Sequence, residues 1–165
     1  MQNQILTDMI NAISGAITHL SSENALINLT PEKSKIKPKE KYHSCWDLLH
    51  HLIAWQNIVI QNLNGEFRDW WNIPEDENWP TEEDLSDNQN YEDLKNQLNI
   101  NLEKIKQLFK TIDLMEVVKI RSGEDSNPVT KFRLMLVFLQ HTSYHLGQIV
   151  TTRKILGNWD EKRNS

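Results

Sequence analysis

The amino-acid sequence predicts an all-α protein, a four-helix bundle in a single domain that spans residues 1–165. Glycine and proline are scarce, with five of each in the chain, and the alternation typical of half-buried strands is rare. Four segments instead carry apolar residues at three- and four-residue steps, the period of a helix with one buried face. The segment between the second and third helices is long. It can cross the bundle and leave these two helices parallel, whereas a short loop would force them antiparallel.

The first two predicted helices are defined by an apolar stripe and by a cap. The first covers about residues 3–28. Its stripe contains Ile5, Met9, Ile13, Ala16, Ile17, Leu20 and Ile27. The second begins at the sequence SCWD, where Ser44 is the expected N-cap and Asp47 its capping-box partner. It continues to about Asn64, and Gly65 is placed to end it.

The third and fourth predicted helices also begin at capping residues. The third opens at a Ser86/Gln89 capping box and has the cleanest helical period of the chain. The fourth follows Thr130, its expected N-cap, and ends near Gly157. Between them the sequence VVKI predicts a short extended piece at residues 117–120.

The connection at residues 65–85 contains three tryptophans, Trp70, Trp71 and Trp79. We expect them to cover one end of the bundle. Two alternatives are that they line the entrance of a pocket or form a dimer contact, since large aromatic side chains are common in both places.

Composition and charge narrow the class of protein. The formal net charge is −5, and no Lys/Arg cluster offsets it, so a nucleic-acid partner is not expected. The N-terminus has no basic region before an apolar run and does not resemble a signal peptide. The longest apolar run, Leu134–Leu139, is too short for a membrane span. Cys45, the single cysteine, cannot form an internal disulfide and is interpreted as a small buried residue. These features predict a cytoplasmic protein.

Two of the six histidines occupy one face of the fourth predicted helix. His141 and His145 lie one turn apart within the sequence FLQHTSYHLGQIV and share their side with apolar residues. On the second predicted helix, His51 lies about 100° from Leu52 at the edge of the apolar stripe, whereas His50 lies about 160° away. Spacing therefore nominates His51, His141 and His145 and keeps His50 as a fallback ligand. His19 is expected at the surface and His43 in a loop.

Three neutral imidazoles from two helices suit a divalent transition metal such as Zn²⁺, Ni²⁺, Cu²⁺ or Fe²⁺. A three-histidine site also leaves coordination positions open for water or substrate, as a catalytic metal requires. The alternative is that these histidines are hydrogen-bonded at the edge of the core.

The sequences LLHHLIAWQ and QHTSYHLGQI together resemble the DinB/YfiT-like superfamily of metal-dependent four-helix-bundle proteins. The resemblance covers nearly the whole chain and rests on a histidine of the second helix paired with the ending H-x-x-x-H-x-G-Q. It implies an up-down-down-up bundle with a long crossover between helices 2 and 3. It also implies a metal triad of His51, His141 and His145, and favours a homodimer. The metal expected at this triad is Zn, Ni or Fe.

The resemblance leaves the reaction open and assigns no catalytic residue. Thr142 follows His141, so the H-E-x-x-H motif of metalloproteases is missing. Some relatives of this fold are transferases or isomerases that use a low-molecular-weight thiol such as bacillithiol or mycothiol, which the metal would hold as thiolate. A hydrolase is the alternative class of enzyme. The alternative is a non-catalytic bundle, a dimeric binding or stress-related module whose triad is empty or structural. Trp55, Tyr144 and Gln148 are candidates for contacts behind the ligands.

Overall fold

A computed structural model describes residues 2–13, 20–123 and 128–159 of the chain. The described residues are mostly helical, as predicted, and include one small antiparallel sheet. The elements in chain order are α1 (Gln2–Ile13), α2 (Ser22–Leu26), α3 (Pro31–Ser34), α4 (Cys45–Leu63), α5 (Glu75–Asn78), α6 (Glu82–Ser86), α7 (Asn88–Thr111), β1 (Val117–Val118), β2 (Val129–Thr130) and α8 (Lys131–Ile155).

The predicted boundaries of α4 are confirmed. The Ser44 hydroxyl accepts a hydrogen bond from the Asp47 backbone N–H at 3.1 Å, and the Asp47 carboxylate accepts one from the Ser44 N–H at 2.9 Å. This reciprocal pair satisfies two backbone donors that have no partner within the helix. The helix ends at Leu63 with Asn64 as its C-cap, and Gly65 takes a φ of 87°, which costs glycine less than any other residue.

The predictions for α8 and for the extended piece are also confirmed. The Thr130 hydroxyl caps α8 by accepting from the Arg133 N–H at 3.2 Å, and Gly157 follows the last turn with a φ of 66°. The predicted extended piece forms β1, in which Val117 pairs with Thr130 of β2. The sheet therefore leads directly into the N-cap of α8.

Two predicted helix boundaries are wrong. The first predicted helix does not run unbroken to residue 28, because Ser21 is extended (ψ 156°) and caps the separate helix α2. The Ser86/Gln89 capping box does not form either. Ser86 ends α6 and donates to the Glu83 carbonyl, and the Asp87 side chain accepts from the Gln89 N–H at the start of α7. A carboxylate one residue later is at least as good an N-cap as the serine hydroxyl.

The core lies around α4, which packs against both α7 and α8, while α1 contacts these same two helices. The bulkiest fully buried side chains include Trp46, Tyr91, Phe109 and Phe138. Within the described part of the chain, no helix has the length and hydrophobicity that a membrane span requires. The α4–α8 contact brings together the two helices that carry the histidine motifs.

Candidate metal centre

His51 of α4 meets His141 and His145 of α8 at the contact between these helices. One ring nitrogen of each histidine lies within 4.8 Å of the others, so the group could hold a metal ion. His145 is buried, and the other two rings are half-buried. Spacing nominated these three residues, and the cluster includes His51 and not His50.

The distance between His141 Nε2 and His145 Nε2 is 3.0 Å. Two imidazole nitrogens at about 2.0–2.1 Å from a tetrahedral zinc ion stand about 3.3–3.4 Å apart. The observed separation differs from that value by a few tenths of an ångström, which a small change in side-chain torsions can supply. The nitrogen positions on α8 therefore fit a shared divalent cation.

Burial keeps the three imidazoles neutral. It lowers the pKa of His141 to about 3, and the neighbouring His145 and His51 rings lower it further. The pKa of His145 is lowered to about 4, first by burial and then by His51. Burial also lowers the pKa of His51. A neutral imidazole has a free lone pair on one ring nitrogen, which is the form that binds a metal.

Short helix α5 contacts both histidines of the HH pair on α4. His51 Nδ1 lies 3.3 Å from the Asn78 backbone carbonyl. Because a carbonyl oxygen can only accept, this contact favours the tautomer that carries its proton on Nδ1 and its free lone pair on Nε2. His50 is half-buried, and its Nε2 contacts the Glu77 carbonyl at 3.3 Å. His50 therefore faces α5 and not the cluster.

Gln148 and Tyr144 lie beside His145. The Gln148 side chain opposes the lowering of the His145 pKa, and its amide donates to the Tyr144 hydroxyl at 3.2 Å. The buried His145 Nδ1 and Gln148 Oε1 have no well-formed hydrogen bond within the described residues. The Tyr144 ring, which is 64% exposed, meets the His145 ring edge-on with centroids 4.9 Å apart.

Aromatic rings surround the cluster on the α4 side. The Trp55 centroid lies 5.8 Å from that of His141, and its indole N–H donates to the Asn78 side chain at 3.0 Å. Trp79 stacks on His51 with centroids 4.2 Å apart, and its ring also lies 4.0 Å from that of His43. Trp79 therefore stacks between two histidine rings, which the sequence did not predict, and His43 is a loop residue as expected. His19 lies outside the described residues.

Sequence reasoning missed the contacts of Asn78 and did not assign Trp79 to His51. Asn78 is the last residue of a one-turn helix in a connection and Trp79 follows it; a single turn is too short for helical periodicity to give a direction. The proline on each side of this turn, Pro74 and Pro80, was the available signal that a short rigid element lies here.

Two buried polar groups lie directly behind His141. Gln56 of α4 and Thr142 of α8 line a cavity of about 10 Å³ together with Trp55 and His141. Neither the Gln56 amide nor the Thr142 hydroxyl has a hydrogen-bond partner among the described residues. Thr142 therefore faces the core behind the cluster and offers no acid or base to the site.

Cys45 contributes nothing to the cluster. Its thiol is fully buried at the start of α4 and points to the Ile149 carbonyl, with a sulfur–oxygen distance of 3.8 Å. Burial raises the pKa of this thiol to about 12.

Comparison with known proteins identifies the family. A family model of the DinB superfamily matches residues 21–149, which is most of the chain and includes the three clustered histidines. No curated protein and no solved structure matches the chain. The sequence motif, the helical fold and this match agree, and the chain belongs to the DinB superfamily.

Proposed function

We propose that this protein binds one divalent transition metal, Zn²⁺, Ni²⁺ or Fe²⁺, through His51, His141 and His145. The observation that carries the proposal is the convergence of three neutral, half-buried or buried imidazoles from α4 and α8. Imidazole nitrogen is a preferred ligand for these three metals. Three protein ligands leave coordination positions for water or for a substrate.

We further propose that the bound metal serves a transferase that uses a low-molecular-weight thiol, such as bacillithiol or mycothiol. A bound divalent metal lowers the pKa of a coordinated thiol and so favours the nucleophilic thiolate. The thiol must come from outside the chain, because Cys45, the only cysteine, is buried and its pKa is raised. Among the described residues no carboxylate joins the cluster, and Thr142 stands where a metalloprotease has its glutamate. These two features argue against a metalloprotease of the H-E-x-x-H type.

Gln148 is the proposed orienting residue for His145, because its amide oxygen and His145 Nδ1 are both buried without another partner among the described residues. Trp55 and Tyr144 contact the cluster through their rings and would shape access to the metal.

The topology proposed for the domain is the up-down-down-up four-helix bundle of α1, α4, α7 and α8. It is supported by the shared core of these helices and by the long connection at residues 64–87. We also propose that the chain is a single domain, that it is cytoplasmic and that it forms a homodimer. Light scattering on the purified protein tests the dimer.

The metal proposal is tested by elemental analysis of purified wild type, His145→Ala and His50→Ala. We expect near-stoichiometric metal in wild type and in His50→Ala, because His50 faces α5, and little metal in His145→Ala. The proposal fails if wild type takes up no metal after reconstitution with Zn²⁺, Ni²⁺ and Fe²⁺.

The thiol proposal is tested with Co²⁺-substituted protein, titrated with bacillithiol and with its S-methyl derivative as control. A thiolate-to-cobalt charge-transfer band that appears only with the free thiol supports it.

A non-catalytic module with a structural metal is the second candidate, favoured by the close packing of Trp55 and Trp79 around His51. A spectrum unchanged by any thiol, with metal still bound, would select this second candidate.

A further inference from the structure

The sequence PEDENWP, here called the 74–80 segment, folds as a single helical turn between two prolines. Pro74 precedes α5 as its N-cap residue, and Trp79 is extended (φ −132°, ψ 147°), as expected for a residue that precedes proline. A helix of one turn leaves its last carbonyl groups without partners inside the helix. The carbonyls of Glu77 and Asn78 are therefore free to accept hydrogen bonds from another element.

Three consecutive residues of this segment make contacts with one face of α4. The Glu77 carbonyl lies 3.3 Å from His50 Nε2, and the Asn78 carbonyl lies 3.3 Å from His51 Nδ1. The next residue, Trp79, places its ring almost parallel to the His51 imidazole, with 11° between the planes. One ring nitrogen and one ring face of His51 are thus fixed by the same short segment.

The 74–80 segment is itself linked to α4 through Arg68, which forms an ion pair with Glu77 and a hydrogen bond with α4. Arg68 Nη2 donates to both oxygens of the Glu77 carboxylate, at 2.6 and 2.7 Å, and Arg68 Nη1 donates to the Gln61 side chain of α4 at 2.9 Å. The Asn78 side chain adds a bond from Trp55 of α4 at 3.0 Å. Arg68 therefore bridges Glu77 of α5 and Gln61 of α4 through two different guanidinium nitrogens. Hydrogen bonds between charged groups are stronger than neutral ones, so this bridge helps to hold α5 against α4.

We propose that the 74–80 segment is the positioning element of the metal site, with Asn78 and Trp79 as the residues that hold His51 in the tautomer protonated on Nδ1. This inference rests on the proposed metal function, because it assigns the orientation of one ligand. Histidine ligands generally donate their second ring N–H to a carbonyl or carboxylate, and loss of that partner weakens metal binding by about 10- to 100-fold. Asn78 supplies such a carbonyl from a connection and not from the helices that carry the ligands.

The tautomer of His51 is a direct test that needs no metal. Long-range ¹H–¹⁵N correlation spectra of metal-free protein at neutral pH distinguish the two neutral tautomers. We expect the Nδ1–H tautomer of His51 in wild type and a mixture in Trp79→Ala and Arg68→Gln. Trp79→Phe should keep the wild-type tautomer because a phenyl ring can still stack. Trp71→Ala is the matched control, since Trp71 belongs to the same connection but is 65% exposed.

Zn²⁺ affinity measured on the same variants completes the test. Trp79→Ala and Arg68→Gln should bind Zn²⁺ about 10-fold or more weakly than Trp71→Ala. The inference is overturned if wild-type His51 carries its proton on Nε2, or if both variants match Trp71→Ala in tautomer and affinity. If wild type binds no metal, the proposed function fails, and the tautomer spectra still decide whether the segment positions His51.

Discussion

Thr142 is a buried threonine whose hydroxyl has no hydrogen-bond partner among the described residues. It stands beside the small cavity behind His141, opposite the equally unpartnered Gln56 amide. Burying a hydroxyl without a hydrogen bond costs about 1–3 kcal/mol on mutational scales. The buried Thr142 hydroxyl therefore lowers the free energy of unfolding.

Replacement of Thr142 by valine tests that cost. Valine keeps the shape of threonine and replaces the hydroxyl with a methyl group, so we expect the free energy of unfolding to stay equal or rise by about 1 kcal/mol. Thr142→Ser keeps the hydroxyl and loses a buried methyl group, and we expect a loss of about 1 kcal/mol. Urea unfolding measures both changes. A fall of more than about 1 kcal/mol in Thr142→Val would mean that the hydroxyl is hydrogen-bonded after all.

The reactivity of Cys45 is the second property that belongs to a single residue. With a pKa of about 12, its thiol is ionised in about one molecule in 10⁴ at pH 8, against about one in four for a free cysteine of pKa about 8.5. A raised pKa disfavours the thiolate, and only the thiolate is alkylated readily. We expect iodoacetamide to label the native protein slowly at pH 8 and the guanidinium-unfolded protein quickly. Native labelling as fast as that of glutathione would contradict both the burial and the raised pKa.

At the scale of the elements, the N-caps decide where the helices begin. Ser44 caps α4 in a complete box with Asp47, whereas Ser86 belongs to α6 and leaves the cap of α7 to Asp87. A serine hydroxyl and an aspartate carboxylate are nearly equal as N-caps. The position of α6 in the fold therefore decides that Asp87, and not Ser86, is the N-cap of α7. The intrinsic N-cap preferences of the two residues are too similar to decide it.

Alanine substitution should separate true caps from the predicted one. We expect Ser44→Ala and Asp87→Ala each to lower the free energy of unfolding by about 1 kcal/mol, because each leaves a helix N–H without its acceptor. Ser86→Ala should change it by less than about 0.5 kcal/mol, as most exposed substitutions do. Urea unfolding of the three variants checks this, and equal losses in Ser86→Ala and Asp87→Ala would restore the predicted capping box.

The sequence predicted those elements whose signals are local. Periodicity and caps located α4 and α8 to within a residue or two, and the direction of His51, His141 and His145 followed from the angle between successive helical residues. The break before α2 was not predictable, since Ser21 acts as a cap although the apolar stripe continues past it. The contacts of Asn78 and Trp79 with α4 could not be predicted either, because helical periodicity does not show which helix a residue of a connection contacts.

At the scale of the whole molecule, the histidine cluster joins two long helices that are far apart in sequence. His51 lies on α4, whereas His141 and His145 lie on α8, and the two helices share one of the most extensive contacts of the fold. An unfolded chain does not hold these three rings together, so a metal that binds all three binds the folded state in preference. Metal binding should therefore raise the free energy of unfolding of the whole domain.

Thermal unfolding with and without Zn²⁺ measures this coupling. A ligand at 100 times its dissociation constant stabilises the folded state by about 2.7 kcal/mol. For a chain of this size, each kcal/mol raises the Tm by about 2–4 °C, so we expect an increase of about 5–10 °C in wild type. His145→Ala should lose the increase, and His50→Ala should keep it, because His50 faces α5 and not the cluster. Equal increases in wild type and His145→Ala would mean that Zn²⁺ binds elsewhere, and the three-histidine centre would have to be abandoned.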